Sequence, residues 1–183
     1  MPSPVCLTAQ GVEYVLLAFI AHIQRRTPAV LQPQHVPLPS QTESCFYSVN
    51  LPPEISPLNY GRRLLRHCKA SPAVIIYAIV LLQRSTVPKI TLHNLHRLLI
   101  TAIVVSVKLL DTAYYSNKYY ATVGGVPTVA EMNLLERELL KLLQYDLYVA
   151  PEQLFAYYRL AISNSFSNHN NNCLLYTSDA ADE

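Results

Sequence analysis

Charge, glycine and tryptophan are all scarce in this sequence. Of 183 residues only 14% are charged, 4 are glycine and none is tryptophan, whereas 51% are hydrophobic. Such a composition is typical of a globular protein and excludes an intrinsically disordered one. The length suffices for one domain with a substantial core. Since nine of the 13 prolines lie within residues 1–57, we expect the first third to be the least regular part and the remainder to be helical.

Paired cysteines and blocks of like charge are also missing. Cys6, Cys45, Cys68 and Cys173 have no paired spacing, so neither a zinc site nor a disulfide framework is indicated. Reduced thiols in a cytoplasmic or nuclear protein are the expectation. The formal net charge is +2, and the absence of a run of like charges argues against a nucleic-acid-binding arm.

No apolar run is long enough to cross a bilayer. The two most apolar segments, 73–82 and 98–110, have about 10 and 13 residues, whereas a spanning helix needs roughly 20. The N-terminal "YVLLAFIAHI" has Glu13 at its start and no basic region before it, which is atypical of a signal peptide. We therefore expect no membrane association.

Two segments differ in composition from the rest of the chain. Residues 27–45 are proline-rich and predict an irregular insertion or linker. Residues 164–183 form a low-complexity tail, and its last part, "CLLYTSDAADE", resembles a translated sequencing-library adapter fused to a truncated reading frame. Residues 173–183 are therefore excluded from functional reasoning, which leaves 14 basic and 9 acidic residues.

Local signals predict seven helices and no strand. Ser56 and Ser71 each precede a proline, which places a capping serine before a proline at the first helical position. Thr91 can cap a further helix, Gly124-Gly125 can end a short one, and Thr128 with Glu131 forms a capping box. The predicted helices cover about residues 9–26, 57–68, 72–84, 92–110, 117–123, 128–144 and 151–162.

Hydrophobic periodicity indicates how these helices pack. In the helix that begins at Thr128, apolar residues recur on one face, namely Met132, Leu135, Leu139, Leu142 and Leu143. The segments 73–82 and 98–110 are apolar almost all round, so their helices should be central. The sequence therefore predicts an all-α protein of five consecutive helices, with one helix before them and one after.

Two isolated charges stand out against these apolar surfaces. Lys108 is the one charged residue between Arg97 and Asp111, and Glu136 borders the apolar stripe of a later helix. Burying either charge unpaired would be costly. They must pair with each other, reach the rim or meet a partner. From spacing alone, a solvated edge residue is the better interpretation of each.

These two residues belong to a segment that resembles a known family. "HRLLITAIVVSVKLLDTAYYSNKYYATVGGVPTVAEMNLLERELLKLLQYDLYV" is similar to the Pho-type cyclins, also called P-type or U-type cyclins. The matching motifs are the His-Arg-Leu-Leu-x-Thr opening, the Tyr-Tyr-Ser-Asn run, the Val-Gly-Gly turn and the Glu-Met-Asn-x-Leu-Glu helix. The resemblance covers about residues 46–160. It implies a single five-helix cyclin box with its following helix at 46–163, and residues 1–45 as an N-terminal helix plus insertion.

The resemblance also implies a function. Cyclins are non-catalytic subunits that bind and activate a cyclin-dependent kinase by docking on its C-helix. The residues equivalent to Lys108 and Glu136 pair with each other and contact the kinase backbone. Leu109, Tyr115 and Leu140 would then add apolar contact area. No cofactor, metal, nucleic acid, membrane or small-molecule substrate is implied. No nucleophile–base set such as Gly-x-Ser-x-Gly is present either, so we do not expect an enzyme.

The sequence departs from the family in four places. Gln83 stands where relatives usually have an acidic residue. Asp111 is a single aspartate at a place where relatives usually have two consecutive aspartates. Gly61 lies inside a predicted helix, at a cost of about 1 kcal/mol relative to alanine. The Met-Arg-Ala-Ile-Leu docking motif is absent. We expect one face of the helix that begins at Pro57 to be lined by Arg62, Arg66 and Lys69. This face could form a docking patch for acidic or phosphorylated substrates, an ordinary solvated face being the alternative.

Three other interpretations stay open. A cyclin-fold nucleic-acid or transcription adaptor, or a helical scaffold without a kinase partner, would share the same helices. His93 and His96 have the spacing of a metal pair but lack a third ligand. Four tyrosines could stack bases, although packing of a short helix, with some rim exposure at a protein interface, is the better interpretation; they are Tyr114, Tyr115, Tyr119 and Tyr120.

Overall fold

The computed structural model describes residues 7–26, 44–47, 54–84, 86–87 and 89–175, with side chains described up to residue 163. These residues form seven α-helices, one 3-10 turn at Ser44–Phe46 and no strand, which confirms the predicted all-α fold class. The helices are α1 (Ala9–Arg26), α2 (Pro57–His67), α3 (Pro72–Leu82), α4 (Leu95–Leu110), α5 (Asn117–Gly124), α6 (Val129–Leu142) and α7 (Pro151–Leu175).

Helices α3 and α4 form the centre of the molecule, as their apolar composition predicts. They pack against each other; α1 and α7 pack on α3, while α2, α5 and α6 pack on α4. Every residue of α4 from Leu98 to Val107 is buried, because neighbours cover this helix on all sides. On α6, the predicted apolar stripe faces the core through Met132, Leu135 and Leu139. The two central helices thus fix where the surrounding helices can present their polar residues.

Two of the predicted helix caps are made by side chains. The Ser56 hydroxyl accepts the backbone N–H of Asn59 at 3.4 Å, and the Thr128 hydroxyl accepts that of Glu131 at 3.1 Å. Ser71 occupies the predicted capping position, but its hydroxyl caps nothing. Its backbone N–H instead donates to the Asp111 carboxylate at 3.1 Å. The retained Asp111 therefore connects the end of α4 to the start of α3.

The predicted start of α4 was wrong. The helix begins at Leu95 with Asn94 as its cap residue, rather than at residue 92 after Thr91. The side chain of Asn94 is buried, accepts the N–H of Thr91 at 2.8 Å and donates to the carbonyl of Lys89 at 3.1 Å. These bonds hold residues 91–94 in a turn, and a turn of this kind competes with an earlier start of the helix.

Other boundaries differ from the predictions by one or two residues, except at the C-terminus. Helix α7 extends to Leu175, through the asparagine-rich segment, whereas the sequence predicted an end near residue 162. Most of the predicted insertion, residues 27–43, lies outside the described residues, as do Cys6 and the side chain of Cys173. Cys45 and Cys68 form no disulfide. None of the described helices combines the length and apolar composition that a bilayer crossing requires.

Gly61 and Gly125 have clear structural reasons. A Cβ atom added to Gly61 would lie 2.5 Å from Cδ1 of Ile20, so α1 and α2 approach too closely there for a larger residue. Gly125 ends α5 with a φ of 67°, the left-handed conformation that glycine adopts without steric cost. The helix-breaking residue in α2 is therefore a packing requirement.

Polar side chains at the end of α3 hold the connection between α6 and α7. The Tyr77 hydroxyl donates to the carbonyl of Leu147, and Arg84 pairs with the Asp146 carboxylate at 3.2 Å. Gln83, which replaces an acid of the family pattern, donates to the Tyr157 hydroxyl of α7 at 3.0 Å. The side chain of Gln83 thus has a neutral hydrogen-bond acceptor, which suits an amide donor.

Candidate protein-interaction site

Lys108 and Glu136 form an ion pair between the end of α4 and the middle of α6. The Lys108 Nζ lies 2.7 Å from Oε1 and 2.7 Å from Oε2 of Glu136. The Lys108 side chain is 29% exposed and that of Glu136 is 17% exposed. The structure therefore brings together the two isolated charges and places them at the edge of the core, where their interaction is screened less than in bulk water.

A second polar bond ties Glu136 to α5. The Asn117 amide nitrogen donates to Oε2 of Glu136 at 2.8 Å and to Oδ1 of Asn133 at 2.6 Å. Because a carboxylate can only accept hydrogen bonds, the NH₂ end of the Asn117 side chain must face Glu136. Asn117 is therefore the donor to both Glu136 and Asn133. The charged pair is thus part of a four-residue polar network that joins three helices.

Sequence reasoning did not single out Asn117 and Asn133. Both lie within family motifs, the Tyr-Tyr-Ser-Asn run and the Glu-Met-Asn-x-Leu-Glu helix. The three-residue spacing of Asn133 and Glu136 on α6 was the available signal, since residues three apart are neighbours on a helix. The contribution of Asn117 needed the tertiary structure, because it comes from another helix.

Apolar side chains near the charged pair reach solvent. Leu109 is 46% exposed and Tyr115 is 49% exposed, while Leu140 is half-buried and packs against the core. The ring of Tyr115 stacks on that of Tyr119, with 4.4 Å between centroids. Further exposed large apolar residues of the same helices and the loop between α4 and α5, which the sequence analysis did not nominate, are Leu110, Tyr114 and Val129.

The other carboxylates of α6 are engaged within the described residues. Glu131 pairs with Arg97 of α4 instead of completing the predicted capping box. Glu138 accepts from Lys141 at 3.0 Å and from Arg137 at 3.3 Å. The hydrogen bond from Lys141 lowers the pKa of the Glu138 carboxyl. Of these three acids, Glu136 is the one whose partner, Lys108, directly precedes the exposed Leu109.

The predicted basic patch of Arg62, Arg66 and Lys69 is only partly assembled. Arg62 and Arg66 are exposed, lie one turn apart on α2 and border a cleft of about 350 Å³ with α1 and α3. Lys69 does not continue this face, because α2 ends at His67 and Lys69 has a φ of 54° in the turn that follows. The expectation that all three residues line one helix face was wrong for Lys69.

Several of the histidines and tyrosines that suggested other sites have contacts within the chain, namely His96, Tyr115, Tyr119 and Tyr120. No group of three or more potential metal ligands exists in the described part of the chain. The ring of His96 meets that of Tyr60 edge-on at 4.4 Å, and burial lowers the pKa of His96. The Tyr119 hydroxyl donates to the carbonyl of His67 at 2.6 Å, and the Tyr120 hydroxyl accepts from the backbone of Tyr115.

Comparison with known proteins agrees with these motifs. The family profile described as Cyclin matches residues 14–147. Cyclin-U4-1 of Arabidopsis thaliana is 36% identical over 148 residues, which cover 78% of this chain and 72% of that protein. Cyclin-P4-1 of Oryza sativa subsp. japonica is 31% identical over 147 residues, 78% of this chain and 68% of that protein.

Several other relatives are matched over a smaller share. Cyclin-P3-1 of Oryza sativa subsp. japonica is 38% identical over 108 residues, which are 57% of this chain and 45% of that protein. The chain thus spans about half the length of some curated relatives that it matches.

Proposed function

The chain belongs to the cyclin family, among its P- and U-type members, and on that premise we propose that it is a regulatory subunit that binds and activates a cyclin-dependent kinase. In this proposal the chain docks on the C-helix of the kinase and performs no chemistry itself. It acts in the cytoplasm or the nucleus, and its partner is a protein rather than a nucleic acid, a membrane or a small-molecule substrate.

The position of the Lys108–Glu136 pair supports this proposal most directly. Lys108 donates to both oxygens of Glu136, and an ammonium group has a third N–H that can reach a partner's backbone carbonyl. The Glu136 carboxylate accepts two bonds from Lys108 and one from Asn117, and a carboxylate has about four acceptor sites. A partner's backbone can therefore bond to both charges at once.

The surrounding apolar side chains supply the rest of the interface that we propose. Leu109 and Tyr115 are about half exposed in the free chain, and burying them against a kinase helix removes apolar area from water. Leu140, which is partly buried already, contributes less. Exclusion of water would also strengthen the hydrogen bonds of the charged pair, because the local dielectric constant falls.

The activation that we propose is allosteric. A docked cyclin holds the C-helix of the kinase inward, which completes the lysine–glutamate pair of the kinase and helps to order its activation loop. The equilibrium shifts because the cyclin binds the active conformation more tightly than the inactive one, and only such a difference in affinity can shift it.

The test uses the purified chain to recover partners from an extract of its source organism, with mass spectrometry to identify them. We expect a cyclin-dependent kinase with the wild type, and at least tenfold weaker binding and activation of that kinase by Lys108→Glu and by Glu136→Lys. The double variant K108E/E136K restores an internal ion pair, so it should fold normally and still bind weakly. Circular dichroism and thermal unfolding check that each variant is folded.

Three outcomes would contradict this function. Folded single variants that bind and activate the kinase as well as the wild type would remove the charged pair from the interface. Salt-sensitive recovery of nucleic acid in place of a kinase would favour the adaptor. Recovery of neither, from an extract in which the kinases are active, would favour a scaffold.

Substrate docking at Arg62, Arg66 and Lys69 is a second part of the proposal. Arg62 and Arg66 are exposed on α2, a helix that contributes no residue to the charged network. If these residues bind acidic or phosphorylated substrates, replacing all three by glutamine will slow phosphorylation of such substrates and leave kinase binding unchanged. Unchanged phosphorylation would mark the patch as ordinary surface.

A further inference from the structure

A groove of about 930 Å³ lies where the second half of α1 meets the start of α2, the loop before α4, and α7. We call it the basic groove, after four of its lining residues, Arg25, Arg26, Arg62 and Lys89. None of its lining residues belongs to α4, α5 or α6, so the basic groove is separate from the Lys108–Glu136 pair. With the basic patch it shares only Arg62.

The floor and one rim of the basic groove are apolar. Phe19, Ile23 and Ile90 form part of the floor, and two large side chains reach solvent beside it. Tyr14 of α1 is 46% exposed and Leu160 of α7 is 61% exposed. Single exposed apolar residues are common on protein surfaces, but two on different helices beside one apolar concavity indicate a place where a partner's apolar side chain can be buried.

Within the residues that the structure describes, no carboxylate lines the basic groove and none of its four cations forms an ion pair. Arg62 donates to the neutral amide oxygen of Asn59 at 3.2 Å. Four unpaired cations around one concavity create a positive potential that favours an anionic ligand.

We propose that the basic groove binds an acidic segment of a partner protein in which carboxylates flank one or more large apolar side chains. The apolar side chain would pack on Tyr14, Leu160 and the floor. Carboxylates would pair with the arginines, whose planar guanidinium groups can bind them through two parallel hydrogen bonds. This binding is independent of the proposed kinase docking at Lys108 and Glu136, because the groove shares no residue with that pair. It shares Arg62 with the proposed substrate patch, so the variants below leave Arg62 unchanged.

A peptide fits these features better than the other anionic macromolecules. Single-stranded nucleic acid binds through several exposed aromatic rings on which bases stack. In this groove Phe19 is buried and Tyr157 is half-buried with its hydroxyl bonded to Gln83, so Tyr14 and His22 are the exposed rings. An anionic membrane surface favours a projecting amphipathic face rather than a concave one. A narrow acidic and apolar chain can enter the groove and contact both rims.

The test is a selection of peptides on the whole chain. A phage-displayed library of random 12-residue peptides is selected on immobilised wild type, in the presence of excess soluble Arg26→Glu/Lys89→Glu variant as competitor. Only phage that need the groove charges are retained. The selected peptide is then synthesised with a fluorescein label, and its dissociation constant is measured by fluorescence anisotropy.

We expect the selected peptides to contain an excess of Asp and Glu around an aromatic or aliphatic residue. The Arg26→Glu/Lys89→Glu variant should weaken binding at least tenfold, and Leu160→Ser should weaken it at least threefold. The control Lys118→Glu/Arg159→Glu makes the same change in net charge outside the groove and should alter binding less than twofold. Both cation pairs are exposed, so these variants are expected to fold, which circular dichroism checks.

Three results would overturn the proposal. The first is a selection in which the peptides have no acidic excess, or in which every peptide also binds the competitor variant. The second is equal weakening by the groove and control variants, which indicates general charge attraction. The third is tighter binding of labelled oligo(dT) or phosphatidylserine vesicles than of every selected peptide, with the same dependence on Arg26 and Lys89, which assigns the groove to that class of ligand instead.

Discussion

Asn117 lies in the first turn of α5 and connects two neighbouring helices through one amide group. It donates to Glu136 and to Asn133 of α6, while Glu136 also accepts from Lys108 of α4. An isolated surface ion pair contributes little to stability, because the entropy cost of ordering two side chains offsets their attraction. A carboxylate that is hydrogen-bonded from two sides already has less rotational freedom. The orientation of Glu136 is therefore set before any partner arrives.

Removing the amide of Asn117 should destabilise the chain through Glu136. We expect Asn117→Ala to lower the free energy of unfolding by about 1.5–3 kcal/mol, since hydrogen bonds to charged groups contribute in that range. In a Glu136→Ala background the same substitution should cost clearly less, because one of its two acceptors is gone. Urea denaturation of the four proteins measures the coupling.

The neighbouring substitution Lys118→Ala is the control, because Lys118 is exposed on the same short helix. It should change the free energy of unfolding by less than about 0.5 kcal/mol. If Asn117→Ala costs the same with and without Glu136, the amide acts elsewhere and the network does not orient the carboxylate.

At the scale of helices, the contact between α1 and α2 shows how packing overrides propensity. Gly61 lowers the intrinsic helical stability of α2, yet Cδ1 of the fully buried Ile20 occupies the space that a Cβ atom would need. Gly61 therefore lowers the stability of α2 as an isolated helix but is needed for the close contact between α1 and α2.

Gly61→Ala should therefore destabilise the protein despite the better helix propensity of alanine. The propensity gain is about 1 kcal/mol, and overpacking a buried contact costs about 1–3 kcal/mol, so we expect a net loss near 1 kcal/mol. Ile20→Val removes Cδ1, and in that background Gly61→Ala should become neutral or stabilising. Thermal or urea unfolding checks this, and a Gly61→Ala protein more stable than the wild type would refute it.

For the whole molecule, the packing of α2 on α4 makes stability depend on pH through His96. Burial lowers the pKa of this imidazole from its ordinary value of 6.5. The unfolded chain therefore takes up the proton at a higher pH than the folded chain does. Protonation favours unfolding, so the stability from neutral His96 is complete above the unfolded pKa and is lost as the pH falls from there toward the lower folded pKa.

We expect the urea midpoint of the wild type to fall between pH 7.5 and pH 5.5, and His96→Gln to reduce this fall. The control His67→Gln, at an exposed position, should retain the fall of the wild type. The Glu138 carboxyl, whose pKa the hydrogen bond from Lys141 lowers, titrates below its ordinary value of 4.5 and so outside this range. Equal pH dependence in wild type and His96→Gln would show that His96 does not carry the effect.

Much of the architecture could be predicted from local sequence. Proline after a capping serine, the Gly-Gly stop and the apolar periodicity of α6 are short-range signals, and they located α2, α3, α5 and α6. Local signals failed at two places, of which the first was decided by a competing local turn and the second by an ion pair between two helices. Helix α4 starts later than predicted, because the buried side chain of Asn94 hydrogen-bonds to the backbone of Lys89 and Thr91 and holds this segment in a turn. The side chain of Glu131 forms an ion pair with Arg97 and does not complete the predicted capping box.

The sequence by itself determined the helical class, the central position of α3 and α4, and the family, because periodicity, composition and ordered motifs are properties of the chain. Only the tertiary structure decided that Lys108 and Glu136 pair, that Asn117 joins them, and that four cations from separate segments surround one apolar groove. Spacing along a helix defines which residues share its face, whereas contacts between helices depend on how their faces pack. Residues that are distant in sequence become partners through that packing alone.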